Sequence, residues 1–228
     1  MILQSGLSVS DLRKSFTSPD GERLEVLRGV TFSATAGEAL AVTGASGAGK
    51  STLLNLIGGI EEIDQGSISF NGFSVEKANG SSLAHYRNRH LGYVFQFHHL
   101  LPDLTAAENI CLPLLLARQN LQQALAVAHQ ALGRLGLTSR ASAPVMELSG
   151  GEQQRIAVCR ALITKPGLVL ADEPTGNLDA KARAMVASDL LSYAASHPAI
   201  VIIATHNEAV AQQCNRILVI EAGKVRRE

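Results

Sequence analysis

The sequence predicts an α/β fold with a mainly parallel central sheet, an N-terminal antiparallel β region and an inserted helical subdomain. Three observations predict it. The runs 168–171 and 199–204 are apolar throughout, so they cannot be half-exposed and read as central strands covered on both faces. Helical and strand patterns alternate strictly through the last third of the chain. The composition, 46% hydrophobic with only 4% aromatic and no Trp, is the aliphatic kind that parallel sheets use.

Taken in order, residues 7–12, 26–33 and 39–43 read as strands and 50–58 as a helix. A further strand over 67–70 is closed by Asn71-Gly72. Residues 105–116 and 121–135 change to helical spacing, with Leu121, Leu125, Ala128, Leu132 and Leu135 as one apolar stripe expected to face the core. A strand is expected over 91–95. A helix over 150–164 leads to the 168–171 strand, and a helix over 180–196 to the 199–204 strand. A short helix and a strand over 216–220 close the pattern. One domain over 1–228 is expected, with a core of 1–96 and 164–228 and a helical subdomain over about 97–163.

Twenty basic residues balance twenty acidic ones, so no global field draws in nucleic acid or anionic lipid. Cys111, Cys159 and Cys214 are odd in number and far apart, which argues against a disulfide framework or zinc site and for a reducing compartment. The start, Met1 to Gly6, lacks a signal-peptide pattern, and no apolar stretch approaches the roughly 20 residues of a membrane helix. A cytoplasmic chain is expected, with any membrane role supplied by a partner.

Four predicted strands end on residues suited to phosphate chemistry, beyond the carboxyl ends where open α/β sheets bind ligands. After the first comes Gly44-Ala45-Ser46-Gly47-Ala48-Gly49-Lys50-Ser51, with Thr52 behind it, matching GxxxxGK[ST]. Its backbone N–H groups and the following helix dipole suit a phosphate. Lys50 is placed to neutralise β- and γ-phosphates and Ser51 to ligate Mg²⁺. An inert glycine-rich turn is the alternative, and the position between strand and helix argues against it.

The second strand delivers Asp172 and Glu173, a carboxylate pair suited to Mg²⁺ and to a general base for the attacking water; an acidic helix start before Pro174 is the plainer account. The third delivers His206, suited to holding the γ-phosphate and the water, although a lone His is more often structural. The fourth delivers Gln96, whose amide can touch Mg²⁺ or water.

Leu148-Ser149-Gly150-Gly151-Glu152-Gln153-Gln154-Arg155 opens the helix before the Asp172 strand. Ser149 and Glu152 form a capping box. Two glycines exceed what a cap needs and suit an anion brought close to bare N–H groups, here from a second copy of the chain.

Together with the P-loop, this segment resembles the signature of the ABC transporter ATPases, P-loop NTPases that the chain resembles along nearly its whole length. The resemblance implies a homodimer with two ATP molecules, each sandwiched between the P-loop of one copy and Ser149, Gly150 and Gly151 of the other. It makes Gly176-Asn177-Leu178-Asp179 the D-loop, His206 the switch histidine, Gln96 the Q-loop, and Phe16 the aromatic that stacks on adenine. Phe16 stands where the family usually has Tyr, and Asn207 where it often has Asp.

Residues 173–179 resemble the MacB/FtsE/LolD subfamily, and 95–105 its lipoprotein-releasing branch. That branch implies two LolC/LolE-like transmembrane permease subunits, a position on the cytoplasmic face of the inner membrane, and no direct lipoprotein contact. Efflux or cell-division ATPases of the subfamily are the alternative. A soluble ABC ATPase acting on nucleic acid or the ribosome is a remoter one, since tandem cassettes, coiled coils and basic arms are lacking. His98-His99 are adjacent, and neighbouring positions rarely chelate one metal ion.

Overall fold

The computed structural model describes residues 6–227; Met1–Ser5, part of the stretch that shows no signal-peptide pattern, lie outside them. The chain begins with β1 (Leu7–Thr17) and β2 (Arg23–Ala34), a long antiparallel hairpin whose register shifts at three points. With β4 (Gln65–Phe70) and β5 (Phe73–Ser74) it makes a four-stranded antiparallel sheet in the order β2-β1-β4-β5.

The second sheet has six strands. They are β3 (Ala39–Thr43), β6 (Leu91–Val94), β7 (Leu168–Asp172), β8 (Ile200–Ala204), β9 (Arg216–Glu221) and β10 (Lys224–Arg227). The order is β10-β9-β3-β8-β7-β6, parallel from β9 to β6.

The apolar strands sort their side chains by parity. Leu40, Val42, Leu168, Leu170, Ile200 and Ile202 enter the core shared with the antiparallel sheet and α1 (Lys50–Ile57). Val169, Ala171, Val201 and Ile203 face the other way, against Val186 and Leu190 of α6 (Ala180–Ser196). Burial on both faces is what an unbroken apolar run requires.

A third apolar cluster joins α3 (Ala106–Leu116), α4 (Leu121–Arg134) and α5 (Gly150–Leu162). The predicted stripe on α4 is partly corrected. Ala128 and Leu132 are buried, Leu125 and Leu135 half-buried, but Leu121 is exposed and Ala124 takes the buried place. Small side chains at 124 and 128 let α3 lie close.

Three elements escape sequence reading. In α2 (Gly80–Arg89) Tyr86 is the one buried residue, stacked on Phe73 at 4.8 Å and donating to Ile57 O at 3.1 Å. Neither β5 nor β10 is long enough to show a period.

The loop before α3 is anchored by Asn109, which is fully buried. Its Nδ2 donates to the carbonyls of Leu101, Leu104 and Thr105, and its Oδ1 accepts from Leu101 N at 2.8 Å. Asn109→Ala strands these groups and is expected to cost about 2 kcal/mol, or roughly 4–8 °C in Tm for a chain of this size. Thermal unfolding checks it, and a shift under about 2 °C refutes the anchoring role.

Candidate functional site

Parallel pairing carries the four chemical strand ends to one edge. β3, β8, β7 and β6 are consecutive neighbours, and Val42 pairs with Ala204, Ala204 with Asp172, and Ala171 with Val94. The residues that follow (Gly44, His206, Glu173 and Gln96) therefore lie in a row spanning roughly three strand spacings, about 14 Å.

The P-loop turns on glycines for two separate reasons. A Cβ at Gly44 would sit 2.4 Å from Ile220 O, so only a bare backbone can pass β9 there. Gly49 caps α1 at φ 102°, in the left-handed region, with Val26 and Leu27 of β2 closing on its α-carbon. Lys50 points back into the loop, 9% exposed, donating to Gly44 O at 2.9 Å and Ala45 O at 3.1 Å. The loop opens onto a hollow of about 740 Å³ lined by Gly44 to Ala48 and, opposite, Glu221 and Arg226.

Asp172 lies beside the Ser51 hydroxyl. Burial pushes its carboxyl above the usual range, aided by the Glu173 charge and opposed by Ser51 and Lys50. Asp172 Oδ1 and Glu173 Oε2 are buried without a hydrogen-bond partner among the described residues. Unpaired carboxylate oxygens beside a hydroxyl form the hard donor set that Mg²⁺ takes, so the residues present fit that ion.

Glu173 is held where a carboxylate can act on a neighbour. Its backbone sits at φ 43°, an uncommon value for a side-chain-bearing residue, with its N–H donating to Ala204 O at 2.8 Å. Its Oε1 lies 2.9 Å from His206 Nδ1, so the candidate base and the candidate switch histidine touch directly. That contact joins β7 to β8 and is invisible in sequence. Asn207 caps α7 (Glu208–Ala211) through Val210 N, a task that Asn and Asp perform alike. Gln96 is exposed, just past β6.

Phe16 is half-exposed and pairs across the hairpin with the exposed Leu24. Lys14 Nζ lies 5.2 Å from its ring centroid. Leu24 precedes by two residues the Val26 that flanks Gly49, which puts an open apolar surface roughly 7 Å along the strand from the P-loop end.

Ser149 caps α5 in the expected box, accepting from Glu152 N while Glu152 Oε2 accepts from Ser149 N and Oγ. Those bonds to Ser149 hold the Glu152 carboxyl below its usual range. The two glycines differ. A Cβ at Gly151 would come 2.9 Å from Ala182 Cβ on α6, so packing gives a second reason for Gly there beside an anion contact. A Cβ at Gly150 would meet open space among the described residues, leaving its N–H side approachable.

Asp179 caps α6 through Ala182 N at 2.7 Å and shares with Ser149 and Gly150 a second hollow of about 650 Å³. Among the described residues none lines both this hollow and the one at the P-loop.

The family profile described as ABC transporter matches residues 27–176. This chain belongs to the ABC transporter family. It is 44% identical over 223 residues to the lipoprotein-releasing system ATP-binding protein LolD of Geobacter metallireducens, covering 98% of this chain and 99% of that one. It is 45% identical over 214 residues to the protein of the same name from Coxiella burnetii, covering 90% and 89%. A dimeric ATP-binding cassette in a post-hydrolysis state with ADP and Pi superposes with a TM-score of 0.90 at 31% identity over 97% of both chains. The cassette is thus an ABC ATPase with a mixed sheet and an antiparallel N-terminal region, as the sequence predicts.

Sequence reasoning missed what ties this ABC ATPase's Gln96 segment to α5. Gln154 Nε2 donates to Phe95 O at 3.4 Å, and Arg160 donates to His99 O at 2.7 Å and His98 O at 2.9 Å. The His98 ring lies near the Gly150 backbone, and His99 meets the Phe95 ring edge-on at 5.0 Å. No local motif signals the bonds to α5, because each spans some 50 or more residues of chain.

Proposed function

We propose that this cassette works as a homodimer that hydrolyses ATP and powers release of lipoproteins from the inner membrane through two transmembrane permease subunits. The observation that carries the shared site is the separation of the two hollows. Within one chain Ser149 and Gly150 do not line the hollow of the P-loop, which supports a second copy bringing them to it. Near-full-length identity to proteins named for lipoprotein release supports the cargo.

In this reading Phe16 stacks on the base and the N–H groups of residues 44–49 surround the phosphates, with Lys50 and Thr52 beside them. Ser51, Asp172 and Gln96 hold Mg²⁺, which when bound neutralises charge on the phosphates. Glu173 accepts a proton from the attacking water, and His206 keeps the carboxylate and the γ-phosphate in register through the 2.9 Å contact. Ser149, Gly150 and Gly151 close over the γ-phosphate of the partner copy, with Asp179 at the same junction.

Among the described residues no helix is long and apolar enough to cross a membrane, so membrane attachment falls to LolC/LolE-like permeases on the cytoplasmic face. Phe97 and Leu101 are 63% and 48% exposed on the strap that follows Gln96, an apolar pair suited to a permease helix. The test is reconstitution with such permeases in lipoprotein-loaded vesicles, where ATP is expected to drive release. Leu101→Asp is expected to reduce lipoprotein-stimulated turnover about tenfold while the isolated cassette keeps its basal rate. Release that proceeds without ATP, or no release with assembled permeases, overturns the cargo assignment; normal stimulation of the variant moves the docking surface elsewhere.

A further inference from the structure

Arg160 lines neither hollow, yet its guanidinium is half-buried and fully committed to the backbone of another segment. It lies on α5, about three turns beyond Ser149. Burial pushes its guanidinium below its ordinary pKa, so keeping it charged there has a cost that its partners must offset. Those partners are two successive carbonyls, His98 O and His99 O. A planar fork bonded to both fixes the orientation of the peptide that joins them, in a way a lysine ammonium does not.

That peptide is under conformational demand. His99 has φ 45°, in the left-handed region that a residue with a Cβ adopts only when its surroundings hold it there. The segment lies between Gln96, at the end of β6, and Leu101, pinned by Asn109. At the other end of α5, Gln154 reaches Phe95 O and the Gly150 backbone meets the His98 ring. Residues 95–99 are therefore hydrogen-bonded to α5 at positions 154 and 160, on both sides of Gln96.

We propose that Arg160 is a positioning residue for ATP hydrolysis: by clamping the His98 and His99 carbonyls it locks the Gln96 segment to α5. The γ-phosphate met by Gln96 in one copy thereby sets the place of Ser149 and Gly150, which that copy presents to its partner. The proposal rests on the shared-site reading above. It makes the 98–99 peptide the link through which occupancy on one side of a chain alters the surface offered on the other.

The test uses the full chain with Mg-ATP. Arg160→Gln is expected to bind ATP within about twofold of the parent and to lose about tenfold in kcat, since it removes orientation and leaves the P-loop intact. Adding His99→Gly, which accepts φ 45° without strain, is expected to return kcat to within about threefold of the parent. A merely structural role for Arg160 predicts no such rescue.

His99→Val, with Arg160 present, is expected to lower kcat, because a β-branched residue resists that φ; this arm decides the matter if Arg160→Gln does not fold. Parental kcat in Arg160→Gln, a loss that His99→Gly leaves unchanged, or parental kcat in His99→Val overturns the proposal. Lys50→Ala serves as the separate control: turnover surviving there removes the site reading itself, whatever Arg160 does.

Discussion

Glu173→Gln is expected to slow ATP hydrolysis by roughly 10²- to 10⁴-fold while ATP still binds. The amide keeps the size of the side chain and can remain within reach of His206 Nδ1, now 2.9 Å from Glu173 Oε1, but it cannot take a proton from water. The left-handed backbone at Glu173 is unaffected by a change beyond Cβ, so the edge of β7 keeps its shape. With hydrolysis blocked, bound ATP stabilises the two-copy state by mass action, about 2.7 kcal/mol when free ATP is a hundredfold above its Kd. Single-turnover kinetics and sedimentation with and without Mg-ATP measure the two effects. Hydrolysis within about tenfold of the parent means another group is the base. A monomer under both conditions argues against a site shared by isolated cassettes.

Lys50→Ala is expected to lower turnover by roughly 10²-fold or more and to weaken ATP binding as well. The ammonium has two tasks. It is the cation inside the loop, and it ties Gly44 O and Ala45 O at 2.9 and 3.1 Å, which holds the loop curled. Alanine removes both; Gly44 O loses this donor in a part-buried place, while Ala45 O keeps the Ala48 N–H at 3.1 Å. The N–H groups of residues 44–49 remain, so binding weakens without vanishing. Direct titration with Mg-ATP and a steady-state rate separate the two losses. A near-parental rate would remove the P-loop from the mechanism.

What the sequence makes legible here is local. β7 and β8 are apolar on both faces, so their runs are unbroken and visible, and Asp172 and His206 follow at once. The capping box of Ser149 and Glu152 is a four-residue pattern, and the P-loop an eight-residue one.

The strand order β3-β8-β7-β6 has no local trace, although it alone makes neighbours of Glu173 and His206. Gly151 has a packing constraint that Gly150 lacks, and only the position of Ala182 reveals it. Leu121 breaks the stripe because the burying face of α4 is turned toward Ala124, which hydrophobicity alone ranks below leucine. Arg160 gives no signal, since arginine on a helix usually ends in solvent.

The strand order also governs when the site can exist during synthesis. β8 lies between β3 and β7, and it is delivered by residues 200–204, close to the end of the chain. A nascent chain that ends before Ile200 has its phosphate loop and its carboxylate pair on strands with no hydrogen-bonded neighbour in common. Non-local pairing of this kind places the site among the late events of folding. Nucleotide binding therefore reports that β8 has joined β3 to β7, and cassettes truncated before Ile200 are expected to be blind to ATP before they lose their helices.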